Sequence, residues 1–129
     1  MGLREIINTV DAPNAIGPYS QAIKTNNAIY VSGQIAINPK TQQFMDVDIE
    51  EQTKQVLDNL KAILDVAGSS LEMAVKTTIY LTNMNDFAKV NEIYSSYFSK
   101  SKPARSTVCV SKLPKNAKIE IDAIAEIIT

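Results

Sequence analysis

Residues 48–82 read DIEEQTKQVLDNLKAILDVAGSSLEMAVKTTIYLT, and this stretch decides the class of fold. Asp48, with Glu51 three residues later, forms an aspartate version of the capping box that begins a helix. Apolar residues then recur at helical spacing, and Gly68 is the residue type that ends a helix at the C′ position. Residues 74–82 are rich in Val, Ile, Thr and Tyr, so a helix followed directly by a strand is predicted.

Strand and helix patterns flank this stretch on both sides. Three strands are predicted before it, at residues 3–9, 21–24 and 28–37. After it come a second helix, which begins near residues 85–86, and two strands, at residues 106–112 and 118–128. These last two strands are predicted to pair as a hairpin. The order β-β-β-α-β-α-β-β predicts one α+β domain over residues 1–129, with a mixed sheet and both helices on one face.

Strand alternation predicts a second sheet face that carries no helices. Apolar residues such as Val75, Ile79, Val108 and Val110 are expected to pack under the helices. The alternate positions are semi-polar: Tyr30, Ser32, Gln34, Thr78, Tyr80, Arg105, Thr107, Cys109, Glu120, Asp122 and Ile124. We expect another subunit to cover this face and to leave polar clefts between chains, with a stoichiometry that the pattern does not define.

Composition excludes several kinds of catalytic centre. The 129 residues include no histidine, no tryptophan and one cysteine, and the formal net charge is −1. A histidine-based nucleophile system, a zinc finger, a haem-attachment motif and an intramolecular disulfide are therefore excluded, and no metal or other cofactor is expected. No apolar run approaches the roughly 18 residues of a membrane span. With no targeting signal recognised, the chain is expected to be cytoplasmic, or the mature form of an organellar protein.

Two side chains are the principal candidates for chemistry. Arg105 begins a predicted strand, and its guanidinium can bind a carboxylate through two parallel hydrogen bonds; the alternative is an intersubunit salt bridge. Glu120 lies in a segment with apolar neighbours, so a half-buried carboxylate there could orient or deprotonate a water molecule. The alternative for Glu120 is an ion pair, including one with Arg105. Asp122 is the second choice for the acid.

Four other positions stand out. Tyr19 belongs to a segment that could place a phenol at a site borne by a loop, or could be simply a rigid turn. Gly33 in a strand suggests close backbone approach by a ligand or another chain. Asn91 interrupts the apolar stripe of the second helix, and Cys109, with no histidine to activate it, is expected to be a small buried hydrophobe.

Charge is balanced overall but not locally. Between Ile93 and Ile119 no acidic residue occurs, and the basic residues there are Lys100, Lys102, Arg105, Lys112, Lys115 and Lys118. This run is typical of a solvated loop and hairpin, or of a region that attracts a small carboxylate or a nucleic-acid backbone. Aromatic residues are not interleaved with the charges as a base-stacking platform requires.

A set of short motifs resembles a known family. In order, they are GPYSQA at 17–22, SGQ at 32–34, NDF, VN and Tyr between 85 and 94, PARS at 103–106, LP at 113–114 and IEI at 119–121. Together they resemble the Rid (YjgF/L-PSP) family in its RidA-type branch. The resemblance implies a chorismate-mutase-like fold and a homotrimer with a central barrel of sheets, outer helices and sites between subunits. It also implies hydrolysis of reactive 2-imino acids and their enamine tautomers to 2-oxo acids and ammonia.

The resemblance also implies roles for individual residues. Arg105 would clamp the substrate carboxylate and Glu120 would position the attacking water. The residues implied to line or support the cleft are Tyr19, Ser32, Gly33 and Asn91. The RidA-type pattern has cysteine where this chain has Thr107, so only a backbone N–H contribution is implied there, and Cys109 inherits no role.

Three functions follow from these observations, in order of preference. The first is deamination of imino acids such as 2-iminopropanoate and 2-iminobutanoate. The second is a non-catalytic regulatory module that binds small carboxylates through the same arginine. The third is an endoribonuclease, which balanced charge and the absence of a histidine pair oppose. The expected partners are small 2-imino or 2-oxo carboxylates and copies of the chain itself, with no membrane or nucleic acid.

Overall fold

A six-stranded mixed sheet forms the centre of the computed structural model, which describes residues 2–128. The strands within this range are β1 (Arg4–Ile7), β2 (Ala22–Thr25), β3 (Ala28–Gln34), β4 (Ile37–Asn38), β5 (Gln43–Phe44), β6 (Ala74–Leu81), β7 (Ala104–Cys109) and β8 (Ile119–Glu126). The α-helices in this range are α1 (Ile49–Val66) and α2 (Phe87–Tyr97), and short 3-10 turns lie at Leu71–Met73, Met84–Asp86 and Pro114–Asn116. The order in the sheet is β1-β2-β3-β8-β6-β7, in which only β6 and β7 run parallel.

The predicted α+β architecture is confirmed, with both helices packed on one face of the sheet. Helix α1 begins as its capping sequence predicts, because the Asp48 side chain accepts a hydrogen bond from the Glu51 backbone N–H at 2.8 Å. Its apolar stripe is buried against β3, β8 and α2. Gly68 follows the helix with φ of +85°, a left-handed conformation that favours glycine.

A small hairpin replaces the end of the predicted third strand. That strand was expected over residues 28–37, but β3 ends at Gln34, and β4 pairs with β5 in a separate two-stranded sheet. The buried Asn59 side chain of α1 contacts this hairpin, since its Nδ2 donates to the Ile37 carbonyl oxygen at 3.0 Å. The backbone polar groups that leave the main sheet are therefore satisfied by a helix side chain.

The predicted hairpin between the last two strands is wrong. Strand β6 lies between β7 and β8, paired parallel to β7 and antiparallel to β8. Burial explains the order: β8 buries Ile119, Ile121, Ala123 and Ala125 and takes a central position, whereas β7 buries no residue and lies at the sheet edge. Helix α2 connects β6 to β7, as a crossover between parallel strands requires.

This order also corrects the assignment of the last strands to sheet faces. Pairing of Arg105 with Thr77, Thr107 with Ile79 and Cys109 with Leu81 places those β7 residues on the helix-bearing face, not on the open face. Glu120 and Asp122 remain on the open face, beside Tyr80 and Thr78. Arg105 and Glu120 were predicted to share a face, but within one chain they lie on opposite faces.

Four further burial expectations are also wrong. Val75 and Val108, expected under the helices, are each 42% exposed. Cys109 is exposed rather than buried, because it lies on the edge strand. Gln34, expected on the open face, is buried, because a bulge at residues 32–33 shifts the alternation of β3 by one residue.

Candidate functional site

Helix α2 supplies a cradle for the Arg105 guanidinium. Phe87, Asn91 and Tyr94 follow one another at spacings of four and three residues, so they lie on one side of the helix. The Arg105 Nη1 donates to Asn91 Oδ1 at 2.8 Å. Its Cζ lies 4.8 Å from the ring centroid of Tyr94 and 5.5 Å from that of Phe87, within the range of cation–π attraction. One amide and two rings thus hold an exposed guanidinium, whose other donors remain available for an anion.

Contacts with Thr77 and Phe98 hold the Tyr94 ring in place. Its hydroxyl group and that of Thr77 on β6 form a buried hydrogen bond at 2.6 Å. The ring also lies 4.5 Å from that of Phe98, centroid to centroid, and burial raises the pKa of the Tyr94 phenol. The open groove beside Arg105 has a volume of about 610 Å³ and is also lined by Lys102 and Pro103. We call Arg105, Asn91, Phe87 and Tyr94 the arginine half-site.

On the opposite face of the sheet, Glu120 lies directly over Gly33. A Cβ atom at Gly33 would lie 2.8 Å from the Glu120 Cδ atom, closer than ordinary van der Waals contact. The close approach predicted at this glycine therefore exists, and a side chain of the same chain makes it. The bulge at Ser32 and Gly33 accompanies this contact, since Val31 pairs with Ala123 but Gln34 pairs with Ile121.

The environment of Glu120 favours its protonated form. Glu120 is half-buried, and burial raises the pKa of its carboxyl group above the ordinary value. The negative charge of Asp122, two residues along the strand, raises this pKa further. A carboxylate with a raised pKa is a better proton acceptor at neutral pH than an ordinary surface glutamate.

The loop before β2 carries Tyr19 into the groove that Glu120 also lines. The buried Gln21 side chain tethers this loop by donating to the Pro13 carbonyl oxygen at 2.8 Å and accepting from the Thr9 backbone N–H at 2.7 Å. Ser32 Oγ donates to the Ser20 carbonyl oxygen at 2.6 Å. Tyr19, Ser32, Gly33 and Glu120 line one groove of about 610 Å³, which we call the carboxylate half-site.

The structure therefore divides the predicted site residues into two groups. Arg105 and Asn91 lie in one half-site, whereas Tyr19, Ser32, Gly33 and Glu120 lie in the other. Thr107 is partly buried on the helix-bearing face of β7, and neither groove is lined by it.

Sequence reasoning assigned no site role to Phe87, Tyr94 or Gln21. Phe87 and Tyr94 were indicated as part of an apolar stripe, and their contact with Arg105 depends on how β7 packs beside α2. Gln21 had a sequence signal only as part of the GPYSQA motif, since its tethering bonds reach residues 8–12 positions earlier in the chain.

Among the residues that define the two half-sites, Glu120 is the one carboxylate, and none is a histidine or a cysteine. Across residues 2–128 no three histidine, cysteine, aspartate or glutamate side chains are grouped so that they could hold an ion. No helix in the same range is long and apolar enough to cross a membrane.

Fold and half-sites together define a class of protein: a small α+β domain with an exposed arginine, held by one amide and two aromatic rings, on one sheet face and a half-buried carboxylate on the other. The chain belongs to the Endoribonuclease L-PSP family, whose model matches residues 9–127. Solved relatives of this chain carry the Rid and YjgF names, so the resemblance seen in the sequence motifs is confirmed.

Relatives of this chain carry several names. A RutC family protein of Pyrococcus horikoshii is 57% identical over 123 residues, which cover 95% of this chain and 98% of that protein. A 2-iminobutanoate/2-iminopropanoate deaminase of mouse is 47% identical over 123 residues, covering 95% of this chain and 91% of that protein.

Solved structures share the fold along almost the whole chain. A Thermotoga maritima protein that carries the endoribonuclease name has a TM-score of 0.95 and 50% identity, and the match covers 98% of this chain and 100% of that one. Escherichia coli TdcF, solved with bound serine, has a TM-score of 0.89 and 42% identity, with 95% and 98% covered.

Proposed function

We propose that the protein hydrolyses 2-imino acids and their enamine tautomers to 2-oxo acids and ammonia, in clefts between the subunits of a homotrimer. The observation that carries the proposal is the separation of Arg105 and Glu120 onto opposite sheet faces. A site that uses both side chains needs two copies of the chain, which a cyclic assembly supplies by repeating one heterologous contact. Relatives named as deaminases support the reaction, and the substrates expected are 2-iminopropanoate and 2-iminobutanoate.

The arginine half-site supplies recognition of the substrate carboxylate. Asn91 takes one donor of the Arg105 guanidinium, and the remaining donors can bind two carboxylate oxygens in the planar, paired geometry that lysine cannot form. Binding of serine by E. coli TdcF is consistent with this role, because serine also carries an α-carboxylate. Anchoring of the carboxylate fixes the C=N carbon relative to the partner subunit's carboxylate half-site.

Hydrolysis then needs proton transfer but no covalent nucleophile. Glu120 accepts a proton from water as the water oxygen bonds to the C=N carbon, and the imine nitrogen takes up a proton from solvent, giving a carbinolamine. Glu120 returns its proton to the amino nitrogen, the C–N bond breaks, and ammonia leaves as the hydroxyl group releases its proton to solvent and becomes the 2-oxo acid carbonyl. The raised pKa of Glu120 suits both steps, because the same group must accept and return the proton.

Mixed assemblies of two inactive variants test this proposal. Arg105→Ala removes the carboxylate anchor, and Glu120→Gln removes the proton acceptor, so each variant alone is expected to lose deamination. In 1:1 mixed trimers formed by co-refolding, about a quarter of the clefts would combine an intact Arg105 with an intact Glu120 from another chain. We therefore expect activity to return to about that fraction of the wild-type rate, measured as 2-oxo acid formed from an enzymatically generated imine.

The matched control is a chain that carries both substitutions, mixed with either single variant, because no cleft then has both residues. Absence of recovery in the Arg105→Ala and Glu120→Gln mixture, with subunit exchange shown by mass spectrometry, would contradict a site between chains. Wild-type protein that fails to accelerate 2-iminopropanoate hydrolysis over buffer would exclude the deaminase altogether.

A second candidate, a carboxylate-binding regulatory module, has one observation in its favour. The arginine half-site is pre-organised for a carboxylate without any contribution from Glu120. This candidate predicts that small 2-oxo acids bind and that the imine persists as in buffer.

The basic residues give less support to an endoribonuclease function, which the family's name suggests. Lys100 lies 3.5 Å from Glu72, and the Lys118 ammonium donates to the Val47 carbonyl oxygen at 3.3 Å. The Glu72 carboxylate partly offsets the charge of Lys100, and a hydrogen bond directs the Lys118 ammonium toward the chain's own backbone instead of a nucleic-acid backbone.

A further inference from the structure

A second carboxylate lies beside Glu120 on the open face of the sheet. Asp122 is two residues further along β8, so its side chain is on the same face at a distance of about 7 Å along the strand. Tyr80, the pairing partner of Glu120 on β6, donates its hydroxyl to Asp122 Oδ2 at 3.1 Å. Tyr80 therefore reaches diagonally past Glu120 and holds the aspartate in place.

Within residues 2–128, no cation forms an ion pair with Glu120 or Asp122. On β6, Lys76 donates to the Thr77 carbonyl oxygen and to Ser106 Oγ, at 3.2 and 3.1 Å. Lys115 lines the same groove as Glu120, but within residues 2–128 no ion pair joins the two. On β3 the facing residue is Gly33, which has no side chain. The titratable neighbours of Glu120 within the chain are Asp122, Tyr80 and, lining the groove, Tyr19 and Lys115. In the proposed trimer, Arg105 of the partner subunit also faces this groove, and it is the same in every variant compared below.

We propose that Asp122, held by Tyr80, is a positioning residue that acts through Glu120: it sets a fixed negative charge beside the catalytic carboxylate and so favours the proton-bearing form of Glu120. The inference rests on the proposed function, because only a proton-transfer role gives this preference a catalytic effect. A base that holds its proton more firmly takes one from water more readily, so turnover at neutral pH is faster than with an isolated glutamate.

The contacts around Tyr80 fit this arrangement. Burial, and then the hydrogen bond to Asp122, raise the pKa of the Tyr80 phenol, so Tyr80 remains a hydrogen-bond donor throughout the neutral range. Asp122 is paired with Thr78 across the strands, and a threonine contributes no opposing charge.

Titration of Glu120 by carboxyl carbon NMR in the assembled protein tests the inference independently of activity. In Asp122→Asn the amide oxygen still accepts from Tyr80, so the fold is retained while the charge is removed. We expect the Glu120 midpoint to shift to lower pH in this variant, and by a smaller amount in Tyr80→Phe, where Asp122 loses its tether. Glu126→Gln is the matched control: it makes the same charge change on the same strand, about 20 Å from Glu120, and is expected to leave the midpoint unchanged.

Kinetics supply the second readout. With Asp122→Asn, the acid limb of the rate profile should move to lower pH and kcat at neutral pH should fall, while KM stays unchanged because Arg105 holds the substrate. An unchanged Glu120 midpoint would overturn the inference even if the wild type is an active deaminase. A shifted midpoint in a wild-type protein that does not hydrolyse imines would uphold the charge coupling and overturn the proposed function and the catalytic effect.

Discussion

Gly33→Ala tests whether the position of the Glu120 carboxylate matters for the reaction. The backbone at Gly33 is not in the left-handed region, so alanine can adopt it without strain. The added methyl group would lie 2.8 Å from Glu120 Cδ and 3.1 Å from Cγ, whereas ordinary contact begins at 3.4 Å. Because Glu120 is a flexible side chain beside a partly open groove, we expect the carboxylate to move and the sheet to remain intact.

The size of the expected effect follows from that displacement. Ordinary contact requires the Glu120 Cδ atom to move by about 0.6 Å, and a misplacement of about 1 Å can cost about 100-fold in rate. We expect kcat to fall by about 10- to 100-fold, with little change in KM because Arg105 lies on the opposite face. Activity is followed as 2-oxo acid production while a dehydratase generates the imine, and folding is followed by thermal unfolding.

A matched control isolates the contact. Gly2→Ala makes the same chemical change where the new methyl group would meet only the Asn26 side chain, at an ordinary 3.5 Å. This control should keep both its activity and its unfolding temperature. Wild-type kcat in Gly33→Ala would refute the argument that the glycine makes room for a catalytic carboxylate, and so would a loss explained by unfolding alone.

Two further predictions concern stability. Because burial and Asp122 raise the pKa of Glu120 in the folded state, the folded chain binds a proton more firmly than the unfolded chain, and stability falls as pH rises between the ordinary and the raised pKa. Glu120→Gln should therefore unfold at a higher temperature than wild type at neutral pH and at the same temperature in acid; equal values at both would contradict the raised pKa. Tyr94→Phe leaves the buried Thr77 hydroxyl without its partner, at a cost of about 1–3 kcal/mol in urea unfolding. The ring beneath Arg105 is kept, so activity per folded molecule should not change, and lost activity would instead assign the phenol a role at the site.

Local patterns were sufficient for most of the secondary structure. The capping box at Asp48 and the apolar spacing of the first helix depend on residues within a few positions of one another, and both are confirmed. The strand order could not be obtained in this way. Whether β8 pairs with β7 or inserts between β3 and β6 depends on which strand buries more apolar surface, and this emerges only when all strands pack together.

Prediction of the candidate site from the sequence was limited for the same physical reason. The residue types were recognisable one by one: an arginine at the start of a strand, a glutamate between isoleucines, and a glycine within a strand. How these residues group in space was not recognisable, because one misplaced strand pairing puts Arg105 on the wrong sheet face. The aromatic cradle beneath Arg105 and the tether at Gln21 arise from contacts between distant segments.

By itself, the sequence determined the class of fold, the family and the chemical inventory, because periodicity, short motifs and composition are local properties of a chain. It excluded histidine chemistry and selected an arginine, a glutamate and a glycine as the residues of interest. Only the tertiary structure decided that Glu120 lies against Gly33 and that Arg105 faces the other way. The physical reason is that sheet register and strand order are set by burial over the whole domain, and a side chain's face follows from its register.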